Sequence, residues 1–269
     1  MQKSYVHKHL EETDSTIRYM REEMPATGHF LTFVTADYQT AGRGQGTNTW
    51  ESERGKNLLC SIRVAPEGLP ANRQYVILQA AALAVRDVLS EFTDGLTIKW
   101  PNDIYWRDRK ISGTLTECTV SHGMVTSCII GIGVDINQER FKSDAPNPIS
   151  LCSIIGRQAS IMHIGTAILW RIGFFFVHHI NEGRLHHIHD LYLQSLYRRE
   201  GLHPFRDADG PFTASIETVE PDGHLLLRRT DGRLSRYAFK EVQFVITPPT
   251  SPISSHLLPS PPITSHNLP

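Results

Sequence analysis

Directly after a strand-like run, Phe30 to Ala36, the chain places three glycines and an arginine within five positions, in the segment Gly42 to Trp50 (GRGQGTNTW). Glycine takes up positive φ without steric penalty, so such a loop can turn its backbone N–H groups onto an anion. Arg43 adds a planar cation suited to carboxylate or phosphate. A second strand-like run, Leu58 to Val64, follows, so the loop is flanked by strands. Alone, these residues describe an exposed turn. They gain weight from three later segments: KWPND (Lys99 to Asp103), DRKISGTL (Asp108 to Leu115) and GIGVDIN (Gly131 to Asn137).

The rest of the pattern is that of an ordinary globular chain. Hydrophobic residues make up 40% and charged residues 20% of 269 positions, enough to bury a substantial core. A formal net charge of −1 argues against bulk electrostatic binding of nucleic acid, so any cationic site is local. Cys60, Cys118, Cys128 and Cys152 form no CxxC pair and no framework, and read as reduced cysteines in strands. The N-terminus has no apolar leader and no run approaches membrane-spanning length, so the expected location is the cytoplasm without a membrane partner.

Ser15 to Met24 reads as a short helix with Asp14 or Ser15 as N-cap. Pro70 to Phe92 is the clearest helix, with Val76, Ile77, Ala80, Ala81, Ala84 and Val88 at helical spacing. Leu96 to Trp100 is a strand stopped by Pro101. Tyr105–Trp106 and Ile111–Cys118 pair as a hairpin, and Met124 to Ile132 is the next strand. Ile161 to Tyr197 is helical, with Gly173 and Gly183 as candidate breaks. After Gly201 short strands alternate with turns at Asp209-Gly210, Asp222-Gly223 and Asp231-Gly232, which predicts a small β module ending near Ile246. The last segment, 248–269, holds seven of 16 prolines and no charged residue, and is expected to be disordered.

Several chemistries are excluded by pattern. Gly55-Lys56-Asn57 is not a P-loop, and neither GRGQG nor GIGVDIN gives GxGxxG. There is no GxSxG elbow and no Cys–His pair at familiar spacing. The histidines at 178, 179, 186, 187 and 189 lack the spacing of a known metal site and read as solvated.

From about Glu12 to Asn137, the order Asp14-Ser15-Thr16, YQTAGRG (Tyr38 to Gly44), KWPND, RKISG and GIGVDIN resembles the biotin–protein ligase family; FKEVQFVI (Phe239 to Ile246) is a weaker echo. The resemblance implies an α+β fold: a class II synthetase-like mixed sheet with helices in residues 1–200, an SH3-like β-barrel in 201–247 and the proline-rich tail in 248–269. It implies a monofunctional ligase with no room for a DNA-binding domain. Such an enzyme uses ATP with Mg²⁺ to adenylate biotin, then passes biotin to a lysine of a biotin carboxyl carrier domain. Relatives often dimerise through the sheet, so a homodimer fits the resemblance. The rivals are a lipoate or octanoate ligase or transferase of the same fold, and a non-catalytic biotin- or carrier-binding protein.

By the same resemblance, Lys110 bridges biotin carboxylate and α-phosphate, Arg43 contacts both, and Asp103 helps hold Mg-ATP; these three are the expected catalytic residues. Biotin would be met by Ser15, Thr16, Ile17, Gln39, Arg43, Gly44, Gln45 and Lys110, with Gly113, Gly131 and Gly133 leaving room for its bicyclic ring. ATP would be met by Arg43, Gly46, Trp50, Asn102, Asp103, Asp135 and Asn137, with Trp50 stacking on adenine. Two departures stand out. Gln45, Gly46, Thr47 and Asn48 stand where relatives often read a more cationic GRGRxGRxW, and Asp135 stands where asparagine is usual. An ionised Asp135 accepts hydrogen bonds but donates none, which would deprive an adenine ring nitrogen of its partner.

Overall fold

The computed structural model describes residues 5–25, 30–46, 48–142 and 147–246. The proline-rich tail at 248–269 lies outside the described residues. Seven strands form the larger sheet: β1 (Tyr5–Leu10), β2 (Leu31–Ala36), β3 (Leu58–Val64), β4 (Leu96–Lys99), β5 (Asp103–Trp106), β6 (Arg109–Ser121) and β7 (Met124–Val134). Their order is β1-β2-β3-β7-β6-β5-β4. Only β1 and β2 run parallel; every other neighbouring pair is antiparallel, so the sheet is mixed.

The helices are α1 (Thr16–Glu22), α2 (Tyr75–Leu89), α3 (Leu151–Ile155), α4 (Ile161–Phe175) and α5 (Leu185–Gln194). Side-chain alternation in the strands separates two faces. Cys128, Ile130, Ile132 and Val134 of β7, with Leu58, Cys60 and Ile62 of β3, enter the main core with α2 and α4. The opposite face carries a small cluster, Ile17 and Met20 of α1 with Val34 and Ile129. Gly131 and Gly133 of β7 share that second face, which leaves a floor without side chains beside α1.

Residues 161–180 form one helical run that ends in a π-helical turn, Phe176–Ile180. By length and apolarity this run could cross a membrane, contrary to the expectation from composition. In this fold it is a core helix: Ile164, Ile168, Leu169, Ile172, Phe175, Phe176 and Ile180 are buried. Gly165 lets it approach the sheet, since a Cβ there would meet Leu58 Cδ1 at 2.9 Å. Gly173 does not break the helix; Gly183, at φ 70°, ends it before α5.

The short strands after Gly201 are β8 (His203–Asp207), β9 (Gly210–Val219), β10 (Leu225–Arg229), β11 (Leu234–Tyr237) and β12 (Gln243–Phe244). They make the expected β module as a five-stranded antiparallel sheet, ordered β11-β10-β9-β8-β12. The two sheets meet at Trp100, whose indole donates to Gly223 O at 2.9 Å and whose ring lies 6.1 Å from that of Phe239. Cys152 lies in α3 rather than in a strand, capped by Ser150 and by Gly156 in the left-handed conformation.

Tyr192 of α5 is fully buried and donates its hydroxyl to Pro101 O at 2.8 Å, with Tyr75 Oη 3.1 Å away. This bond holds the turn that presents Asn102 and Asp103. Tyr192→Phe should lower unfolding free energy by about 1–3 kcal/mol, because a buried carbonyl is left without a donor. Urea melts of both proteins check this, with an unchanged slope expected.

Candidate active site

A cleft of about 820 Å³ opens on the face that carries α1, bounded by the glycine-rich loop, the turn after β4, and the ends of β6 and β7. At one end, Ser15 and Thr16 begin α1. Ser15 is the N-cap residue, yet its side chain makes no cap bond, because Asp14 Oδ1 accepts from the Ser15 N–H. Thr16 N and Oγ1 both donate to Gln39 Oε1, at 2.8 and 3.1 Å, and Ser61 Oγ donates to Thr16 Oγ1 at 2.9 Å. This chain fixes the orientation of the Gln39 amide, so its –NH₂ is turned away from Thr16 as a donor.

The loop folds as a small hairpin. Gly44 N donates to Asn48 O at 2.7 Å, and Trp50 N to Gly42 O at 3.0 Å. The hairpin lays the Trp50 indole across the glycine floor: a Cβ on Gly133 would lie 2.6 Å from Trp50 Cε2, and one on Gly113 3.3 Å from Cζ3. Ile17 covers Gly131 in the same way. The glycines therefore admit protein side chains here, rather than holding open the empty space expected for a ligand ring. Trp50 sits in mid-cleft, and its buried Nε1 has no hydrogen-bond partner.

Lys110 of β6 reaches into the cleft, with Nζ 2.7 Å from Asp103 Oδ1 and 5.6 Å from the centre of the Trp50 ring. Arg43 lies at the exposed rim, 3.9 Å from Glu117 Oε1. Asn102 is buried and donates its amide to Thr114 O, which ties the KWPND turn to β6. Gly44, Gln45 and Asp135 complete the lining expected from the sequence.

Two expected residues do not line the cleft. Asn137 spends its amide on Ala159, donating to Ala159 O and accepting from Ala159 N at 2.9 Å each, so it braces the approach to α4. Gly46 lies under the Lys240 ammonium from the turn before β12, and its φ of 69° favours glycine.

The cleft also holds residues the sequence reading passed over. Lys99 packs its Nζ 5.0 Å from the Phe244 ring and 5.6 Å from Tyr105, and burial pushes its amine below the usual lysine range. Phe239 arrives from the second sheet, and Asn147 with Pro148 closes the far wall. Lys99 was visible as the first letter of KWPND and Phe239 as the first of FKEVQFVI, though neither was assigned to the site; nothing local marked Asn147 and Pro148.

Asp135 is only 4% exposed, and its Oδ1 has no partner. Burial pushes its carboxyl well above the usual carboxylate range; nearby Lys110 opposes this and Glu51 adds to it. Burial therefore favours the neutral acid, whose O–H could donate where the amide of asparagine does.

Among the described residues, the one group of three potential ligands is Glu220, Asp222 and His224, and Arg236 already bridges its two carboxylates. Of the clustered histidines, 178, 186 and 187 are exposed; His179 stacks on His187 at 4.8 Å and His189 bonds Gln79 at 3.1 Å.

The biotin/lipoate A/B protein ligase family matches residues 10–135. The bifunctional ligase/repressor BirA of Bacillus subtilis is 36% identical over 134 residues, 49% of this chain and 40% of that protein. The biotin–[acetyl-CoA-carboxylase] ligase of Mycobacterium tuberculosis is 29% identical over 125 residues, 45% of each chain. The chain thus matches less than half the length of these relatives. Among solved structures, the biotin protein ligase of Aquifex aeolicus in complex with biotin and ATP has a TM-score of 0.70 at 23% identity, covering 90% of this chain and 99% of that one. The Leishmania major enzyme in complex with biotinyl-5-AMP has a TM-score of 0.61 at 24% identity, covering 87% and 98%.

The sign of the Asp135 effect on stability follows from linkage. The folded state keeps a proton that the unfolded chain releases above about pH 4, so this stabilisation is complete below that pH and declines as pH rises toward the folded value. Asp135→Asn removes the dependence. Urea midpoints measured between about pH 4 and pH 8 should converge on, or fall below, those of Asp135→Asn as pH rises.

Proposed function

We propose that this protein is an ATP-dependent biotin–protein ligase acting on the carrier domain of a biotin-dependent carboxylase, a reading supported by the match of residues 10–135 to the biotin/lipoate A/B protein ligase family. The observation that carries the reading is Lys110 paired with Asp103 at 2.7 Å inside a cleft edged by Arg43. The first step brings an anionic carboxylate to an anionic phosphate, so its barrier is largely electrostatic. Biotin carboxylate attacks the α-phosphorus and pyrophosphate leaves; the carrier lysine amine then attacks the mixed anhydride and AMP leaves.

Each residue has a role suited to its position. Ser15 and Gln39 offer a hydroxyl and an oriented amide to the ureido group, which both donates and accepts. Lys110 holds carboxylate and phosphate together, converting a repulsive encounter into a positioned one. Asp103 is a hard oxygen donor beside the phosphate position, suited to Mg²⁺ carried in by the nucleotide, which neutralises phosphate charge when bound. With Mg²⁺ bound, Asp103 would hold the ion and Lys110 would face the reacting groups. Neutral Asp135 can donate to a ring nitrogen of the nucleotide.

Biotin-dependent release of pyrophosphate from ATP, followed by transfer of labelled biotin to a carrier domain, tests the reading; lipoate in place of biotin separates the two acyl substrates of the family. Lys110→Ala should slow adenylate formation by about 10²–10³ with an unchanged circular dichroism spectrum, since it removes one electrostatic contact and opens no core cavity. Near-normal turnover removes Lys110 from the mechanism.

The loop offers a second test. Gln45 and Asn48 bring no charge to the hairpin, so the closed state around a hydrolysable adenylate is held less firmly. With biotin and ATP, wild type should label a bystander protein on its lysines, and Gln45→Arg should reduce that labelling. Absence of labelling in wild type refutes the leaky-loop account.

A further inference from the structure

Cys118 of β6 and Cys128 of β7 stand directly opposite each other in the antiparallel ladder. Their Sγ atoms are 3.1 Å apart and share a hydrogen bond. Both side chains pack with the helix-side core, away from the cleft, so the proposed biotin chemistry makes no use of them. Facing residues of an antiparallel pair have Cα atoms about 4.5–5.5 Å apart, inside the range of about 4.4–6.8 Å that a disulfide spans. Bond formation at about 2.05 Å asks for a closure of roughly 1 Å between the sulfurs.

The two thiols are unequal. Cys128 is fully buried, whereas Cys118 is half-buried. The shared hydrogen bond favours ionisation at Cys118 and, together with burial, suppresses it at Cys128. The other cysteines are isolated: Cys60 is buried with its thiol pushed far up by burial, and Cys152 is buried in α3.

We propose that Cys118 and Cys128 form a peroxide-sensitive dithiol that closes into a reversible cross-strand disulfide. The Cys118 thiolate attacks one oxygen of a peroxide; an S–O bond forms, the O–O bond breaks, and hydroxide leaves. Sulfur is oxidised by two electrons and the peroxide is reduced. The Cys128 sulfur then attacks Cys118 Sγ; the S–S bond forms, the S–O bond breaks, and the departing hydroxide takes the Cys128 proton as water. A small dithiol reverses the bridge by two successive exchanges, and is itself oxidised to its disulfide.

Both cysteines fall in a single tryptic peptide, Ile111 to Arg140, because no lysine or arginine intervenes. The full chain is treated with hydrogen peroxide, denatured, alkylated with iodoacetamide and digested. The expected product is this peptide two hydrogens lighter and without alkyl groups, restored to two alkylated cysteines by prior dithiothreitol. Cys60 and Cys152 should stay alkylatable throughout. In Cys128→Ser, Cys118 should stop at a sulfenic acid that dimedone traps. Recovery of both cysteines alkylated after oxidation overturns the proposal, as does oxidation of Cys118 to sulfinic acid without the bridge. The wild-type result stands even if a variant fails to fold.

Discussion

Five consecutive residues, Lys99 to Asp103, join every part of the molecule. Lys99 lies over Phe244 of the second sheet, and Trp100 donates to Gly223 in the same module. The Pro101 carbonyl accepts from Tyr192 of α5, the Asn102 amide donates to β6, and Asp103 pairs with Lys110. Each contact is an ordinary hydrogen bond, ion pair or ring contact worth little by itself. Their concentration in one turn makes the position of the Asp103 carboxylate depend on two sheets and a helix at once. This cross-bracing holds Asp103 and Lys110 at contact distance inside the cleft.

The second organising element is β7, a strand with two unlike faces. Its even positions from Cys128 to Val134 fill the helix-side core, while Gly131 and Gly133 form the floor beneath Ile17 and Trp50. A sheet face without side chains brings backbone close to whatever lies on it. Asp135, next on that face, takes the burial that comes with the floor, and that burial favours its neutral form over the carboxylate.

Much of the architecture was legible because it is written in local patterns. β3 has the bounds that its apolar run predicts, β2 begins one residue inside its run, and the DG turns separate the strands of the second sheet as expected. β1 went unread because an edge strand with exposed His7, Lys8 and His9 has no buried face to imprint alternation. α3 is too short to show a period, although Ser150 and Gly156 mark its ends. In the cleft, residues within the glycine loop and KWPND were legible from their order. Phe239 and Asn147 were not, because they reach the site only through the meeting of distant segments. Asn137 looked like a ligand contact and is a brace: its amide type was readable, its partner Ala159 was not. The burial that favours a neutral Asp135 had no local signature either, since it is a property of the surroundings.

The contact between Gly46 and Lys240 links the two sheets through the loop. Residues 15–148 supply every cleft-lining side chain but Phe239, whereas the ammonium resting on the loop tip belongs to the turn before β12. The residues that line the cleft and the lysine that rests on the loop are therefore encoded in separate stretches of chain, roughly a hundred residues or more apart. Substitution near β12 can change the packing on the loop tip while leaving the cleft-lining residues before Pro148 untouched.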